Sequence, residues 1–329
     1  LLINFAQTFG KSMIKILNFF LLIVSITMLV SMVSDPVKEP RNETELGELL
    51  FFEPLLSADT TISCASCHKP DFAFADTVAI SPGVKGALGR RNAPSVMNMA
   101  ARDLMFFDGR ANDLVHQVRF PIEDPAEMNI SIQEVANRLN QHPRYSVYFK
   151  KIYREAATPE NIARAIAAFE ESLETSDTPF DDYMNGNESA MTASQIRGRE
   201  VFMSSKAKCF DCHFSPDFTG DEFRNIGLYD EKNRLDKGRY EVTKNPEDLG
   251  KFKVPGLRNV AVTAPYMHDG SMKTLREVID YYDNPYKFVS HPVNIDSLLV
   301  KPLGLTEEEK QDLEAFLHAL TDRRFAGKN

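Results

Sequence analysis

Tryptophan is absent from this 329-residue chain, cysteine occurs only four times, and no low-complexity tract interrupts it. Excess basic charge is also missing. The formal charge is −9, which argues against nucleic acid as the partner, since that needs a basic face. Sustained alternation of apolar and polar residues is lacking too, so a β-sandwich or barrel is excluded. What remains, 43% hydrophobic and 26% charged residues, is the composition of a soluble helical protein with length for two domains.

Residues 1–40 read as a targeting segment. Lys11 and Lys15 precede an apolar run from Ile16 to Val33, interrupted by Asn18, Ser25, Thr27 and Ser31. Basic residues, an apolar stretch and then small residues form a secretory signal. The run is also just long enough to span a bilayer, so an uncleaved membrane anchor is the alternative. Met13 is a candidate start. Either way the folded part is expected outside the cytoplasm.

Every cysteine falls in one of two equivalent motifs, Cys64-Ala-Ser-Cys67-His68 and Cys209-Phe-Asp-Cys212-His213. This pattern attaches haem c: two thiols form thioethers with the vinyl groups and the adjacent histidine ligates the iron. Zinc binding and a pair of disulfides are the rivals. The pairs stand 145 residues apart, and neither rival explains two trailing histidines. The cofactors expected are two covalently bound haem c groups.

The surroundings of the motifs repeat. Gly47-x-x-x-Phe51 precedes the first and Gly198-x-x-x-Phe202 the second, while Pro70-Asp71-Phe72 and Pro216-Asp217-Phe218 follow. An internal repeat with one haem per copy implies two cytochrome c-like domains, over residues 41–188 and 189–329. Helical stripes run through Ile162, Ile166, Phe169 and Leu173, and through Leu313, Phe316, Leu317 and Leu320. Thr192-x-x-Gln195 and Thr306-x-x-Glu309 are capping boxes. Asp177 to Ser189, rich in Asp, Asn and Gly, reads as the linker. The fold class is all-α.

With the haem motifs in this order, four stretches resemble the bacterial di-haem cytochrome c peroxidases, a family that includes MauG. They are Leu49-Leu50-Phe51-Phe52-Glu53-Pro54-Leu55-Leu56-Ser57, Gly89-Arg90-Arg91-Asn92-Ala93-Pro94-Ser95, Phe107-Asp108-Gly109-Arg110 and Thr263-Ala264-Pro265-Tyr266-Met267-His268-Asp269-Gly270. The resemblance covers residues 44–322. It implies a peroxidatic haem on His68, an electron-transfer haem on His213, and a calcium ion held by Asn92 with the backbone carbonyls of Thr263 and Pro265. It also places Gln117 and Glu127 at the peroxide, with Pro121 between them. Glu127 would move the peroxide proton and Gln117 would position the substrate; His116, nearby, has no such role in the family. The implied partners are hydrogen peroxide and a small electron donor, a cytochrome c or a cupredoxin, in the periplasm. A homodimer is compatible with the sequence but not required by it.

Three departures qualify the resemblance. Many members carry a histidine in the loop after the first haem motif that closes the peroxidatic iron. Here the loop Ala79–Gly86 has Val84 about there, and an alkyl group cannot bind iron. The usual methionine ligand of the second haem, fourteen residues after His268, is replaced by Tyr282. Thr274-x-x-Glu277 opens a helix whose apolar face holds Leu275, Val278, Ile279 and Tyr282, with Tyr281 rotated about 100° away. Met267 and Met272 are the alternative ligands. Finally, Phe107 stands where the family has an inter-haem tryptophan, and phenylalanine is much harder to oxidise. Peroxide reduction is the leading reading, a MauG-like oxidase acting on a protein the alternative, and a plain electron carrier the third.

Overall fold

The computed structural model describes residues 39–327 except Ala101, so the signal or anchor expected over residues 1–40 lies almost wholly outside the described residues. Eleven α-helices follow in order among them: α1 (Glu43–Phe51), α2 (Cys64–Cys67), α3 (Leu114–Glu123), α4 (Ile132–Gln141), α5 (Pro143–Tyr153), α6 (Pro159–Glu171), α7 (Pro179–Met184), α8 (Ala193–Phe202), α9 (Tyr240–Thr243), α10 (Leu275–Asp283) and α11 (Glu307–Ala319). None is long and apolar enough to cross a membrane. Helix dominates as expected. The exception is a pair of two-residue antiparallel strands, β1 (Phe223–Arg224) and β2 (Phe252–Lys253), with Phe223 opposite Lys253.

Local sequence explains where the helices begin. Thr192, Thr274 and Thr306 each accept from the third backbone N–H of their helix, and Gln195, Glu277 and Glu309 return a bond to the cap. Each box satisfies two N–H groups that a helix start would leave orphaned.

Two helix crossings organise two hydrophobic clusters. In the first, α1 lays Leu46, Leu50 and Phe51 against Ile162, Ile166 and Phe169 of α6; in the second, α8 lays Phe202 against Leu313, Phe316 and Leu317 of α11. The repeated glycines permit these crossings. A Cβ on Gly47 would lie 1.8 Å from the carbonyl oxygen of Ala165, and one on Gly198 would lie 1.8 Å from that of Asp312. Only hydrogen fits there. From Arg41 onward the chain is one compact unit, in which Val262 and Phe325 pack against the first cluster and Phe180 against the second.

The segment Asp177–Ser189, expected as a linker, instead contains α7. Its polar residues serve a helix start: Thr178 Oγ1 accepts from the Asp181 N–H at 3.0 Å, Pro179 takes the first turn, and Phe180 packs on Phe218 with ring centroids 5.1 Å apart. A Thr-Pro start followed by an aromatic residue is helix grammar as much as Asp, Asn and Gly are linker composition.

Candidate functional site

Both histidines of the Cys-x-x-Cys-His motifs are held in the same posture. The His68 N–H donates to the Cys64 carbonyl and the His213 N–H to the Cys209 carbonyl, each at 2.9 Å. Nδ1 of His68 lies 3.1 Å from the carbonyl oxygens of both Phe74 and Pro94. Nδ1 of His213 lies 3.0 Å from that of Phe218 and 3.2 Å from that of Pro255. Facing only acceptors, Nδ1 carries the proton and Nε2 keeps its lone pair, the tautomer an iron ligand requires. Burial holds both imidazoles below the usual histidine range, keeping them neutral.

An aromatic triad backs each site. Phe51, Phe74 and Phe169 surround the first, with centroids 5.1–6.2 Å apart, and Phe202, Phe218 and Phe316 the second, at 5.3–5.9 Å. Phe74 and Phe218 both adopt left-handed backbone, φ 56° and 58°, and both present their carbonyl to a histidine. The structural counterpart of Phe218 is therefore Phe74, not the Phe72 that the Pro-Asp-Phe repeat pairs with it; an additional residue between histidine and phenylalanine shifts the register.

None of the four cysteines forms a disulfide. Burial raises each, Cys209 to about 12 and Cys212 to about 11, and Cys64 and Cys67 in the same direction. Among the described residues no three His, Cys, Asp or Glu side chains converge as a metal cluster. Two cysteines and a histidine with its Nε2 lone pair available, repeated at both motifs, fit covalent haem c.

Cys209, Cys212 and His213 open onto a cavity of about 350 Å³ that Asn92, Met97 and Phe107 also line. Its lining is mainly apolar, including Leu275, Ile279 and Leu313, which suits a porphyrin face. Tyr282 lines it too, and the charges of Cys212 and Cys209 add to the burial that raises its phenol. The expected rotation of Tyr281 away from the core is not found. Tyr281 is fully buried, because α10 is covered on a second side by Leu228, Met272 and Val289. Its hydroxyl donates to the Ile226 carbonyl at 2.7 Å, and that of Tyr266 to the Val260 carbonyl at 3.0 Å. The Tyr282 hydroxyl makes no hydrogen bond among the described residues. Met267 also lines the cavity, whereas Met272 packs in the Tyr281 cluster.

At the first site the half-buried Glu127 follows α3. Its charge contributes to raising both Cys64 and Cys67, so its carboxyl is in the neighbourhood of the attachment point. Burial, assisted by Asp124, pushes Glu127 above the usual carboxylate range. Val84 is buried, and its N–H donates to the Glu127 carbonyl at 2.8 Å. A Cβ on Gly83 would lie 2.1 Å from the Ala126 carbonyl oxygen, so the loop seats directly on the Glu127 segment. Gln117 lies half-buried on α3, four residues before Pro121. His116 is exposed and accepts from the Asn112 N–H at 3.3 Å.

Asn92, Thr263 and Pro265 all line the large cavity. The Asn92 amide donates to the Val78 and Ala79 carbonyls at 3.1 and 3.2 Å, which turns Oδ1 away from them. Among the described residues, no donor reaches Oδ1 or the Thr263 and Pro265 carbonyls. Oxygens of this kind suit calcium, which takes six to eight of them.

Sequence reasoning missed Glu170, a buried carboxyl on α6. Its signal was an acidic residue four after Ile166 and three before Leu173, on the apolar stripe itself. It also missed the ion pairs of Arg91 with Asp108 and Asp236, which no motif announces.

A family model described as di-haem cytochrome c peroxidase matches residues 41–189. Over 295 residues the chain is 39% identical to the cytochrome c peroxidase Ccp of Escherichia coli, covering 87% of this chain but only 60% of that protein. It is 35% identical to the cytochrome c551 peroxidase of Pseudomonas aeruginosa, covering 88% of this chain and 81% of the relative. Among solved structures, a MauG-like protein associated with microbial copper homeostasis superposes with a TM-score of 0.78 at 34% identity, covering 88% of this chain and 95% of the other.

Proposed function

This chain belongs to the di-haem cytochrome c peroxidase family, and from that premise we propose that it reduces hydrogen peroxide to water with electrons from a small redox protein. The observation that carries the reading is the duplicated histidine posture, each Nδ1 held between two backbone carbonyls beside its Cys-x-x-Cys pair. Two haem c groups, when bound, supply the irons that pass two electrons to one peroxide; two protons complete two waters.

The residues divide that work. Cys64 and Cys67 hold one haem and Cys209 and Cys212 the other, in cytochrome c-like halves over residues 41–188 and 189–329. His68 and His213 offer Nε2 to the irons. Glu127, its pKa raised by burial, takes the proton from the near oxygen of peroxide and returns it to the departing oxygen. Gln117 donates its amide N–H to orient the substrate. Tyr282 would offer its phenol oxygen to the haem iron held through His213, and Asn92, Thr263 and Pro265 would hold a calcium ion. The donor is a small cytochrome c or cupredoxin, and the charge of −9 favours one with a basic face. We place the protein in the periplasm, released or anchored by residues 1–40, as a monomer or homodimer.

The free Tyr282 hydroxyl favours one second reading, a MauG-like oxidase acting on a protein, since an anionic ligand favours the higher oxidation states of iron. Steady-state peroxide turnover with a reduced small cytochrome separates the two. The peroxidase reading expects donor-dependent turnover; an oxidase that modifies a protein consumes little donor.

A further inference from the structure

Glu170 sits in the last turn of α6 with 5% of its surface exposed. Its Oε2 is buried without a hydrogen-bond partner, and no cation pairs with it among the described residues. Its neighbours in sequence, Phe169 and Leu173, belong to the cluster against which Cys64 packs. The carboxyl is close enough to Cys64 that its charge acts on that thiol.

The groups around it do not compensate the charge. The helices α1 and α3 face α6 with Leu46, Leu50, Leu114 and Val118. Arg164 with Glu43, and Arg119 with Glu160, pair six and ten residues nearer the start of α6, about 9 and 15 Å along the helix. Arg102, whose segment bonds to the Leu173 carbonyl through Asn98, is paired with Asp217 at 3.0 Å. Arg324, which reaches the Glu174 carbonyl, is paired with Asp322. Glu171 is the nearest ionisable neighbour on α6 and carries the same sign. Burial, with Glu171, raises the Glu170 carboxyl to about 8.

A buried carboxylate without a partner is destabilising, which favours the protonated acid and calls for an explanation. We propose that Glu170 is a redox-linked protonation site of the first haem pocket, binding a proton when the iron held through Cys64 and Cys67 gains an electron and releasing it when that electron leaves. This rests on reading Cys64-Ala-Ser-Cys67-His68 as a haem attachment. The balance is simple: ferric iron, one electron from the donor protein, one carboxylate and one proton from solvent become ferrous iron and one carboxylic acid. An electron arriving nearby disfavours the carboxylate, and in a dry apolar setting that interaction is weakly screened.

The test is a spectroelectrochemical titration of the holoenzyme between about pH 5 and about pH 9, spanning the ordinary and raised carboxylate ranges. Between the Glu170 pKa with ferric iron and its higher pKa with ferrous iron, the potential of the first haem should fall with pH, approaching about 59 mV per unit, the one-electron, one-proton limit, and it should be flat below that window. Glu170→Gln should flatten that slope while leaving the second haem unchanged. A slope that persists in Glu170→Gln overturns the proposal, as does one that disappears in Glu127→Gln instead. Should Glu170→Gln fail to mature, the redox-difference infrared spectrum of the wild type decides. A protonated carboxyl stretch gained on reduction, and shifted in deuterium oxide, is expected; its absence overturns the assignment. Fewer than two covalent haems in the wild type overturns the attachment reading along with this one, whereas two haems with a flat slope overturns this one alone.

Discussion

The backbone N–H of Val84 donates to the carbonyl oxygen of Glu127 across 2.8 Å. The loop that carries a blocking histidine in many relatives is thus seated on the segment bearing the candidate acid–base residue, and its buried side chain is an alkyl group. The first haem is expected to be high-spin in the diferric protein and to react with peroxide without prior reduction. Val84→His should turn that signal low-spin in the EPR spectrum and slow the diferric reaction by at least tenfold. An unchanged spectrum would show that position 84 does not reach the iron.

Glu127→Gln should retain both haem spectra and slow peroxide turnover by about a hundredfold or more, the scale of acid–base catalysis. A base must be ionised to accept a proton, so kcat/KM should fall as pH drops through the Glu127 pKa. Burial and Asp124 raise that pKa, so the acid limb should lie above the ordinary carboxylate range of about 4. The variant should lack the limb.

Tyr282→Met should raise the potential of the second haem, because a neutral thioether stabilises ferrous iron better than a phenolate does. A redox titration reads the shift. An unmoved potential would return Tyr282 to the role of a cavity-lining aromatic and leave Met267, which shares the cavity, as the better ligand.

Much of this was legible because it depends on near neighbours. A haem-attachment motif needs five contiguous residues and a capping box four, so both stand out in a local window, and the caps formed as expected. The Gly-x-x-x-Phe repeat was visible as a pattern, but its cause, two helix backbones in contact at Gly47 and Gly198, is a tertiary fact. Features set at a distance were hidden. Which carbonyls receive the histidine Nδ1 depends on Pro94 and Pro255, 26 and 42 residues downstream. The burial of Tyr281 depends on a loop that covers the far side of α10. The helix at Pro179–Met184 was lost to its polar composition, since the burial of Phe180 against Phe218 is invisible in a local window.

Gly198→Ala should destabilise the protein by at least the roughly 1–3 kcal/mol typical of overpacking, since the added methyl meets backbone at 1.8 Å. Thermal melts with absorbance at both haems should show the second site loosening first.

A calcium chelator should lower the melting temperature, and Asn92→Ala should abolish the chelator's effect. A melt insensitive to both would assign Asn92 to its two hydrogen bonds with the loop at Val78 and Ala79.

The most direct test of the account is stopped-flow mixing of the as-isolated diferric protein with peroxide and a reduced small cytochrome c. The account predicts immediate multiple turnover, with two donor molecules oxidised for each peroxide consumed and no lag for activation. Peroxide loss without donor oxidation, or no reaction until the second haem is reduced, would contradict it.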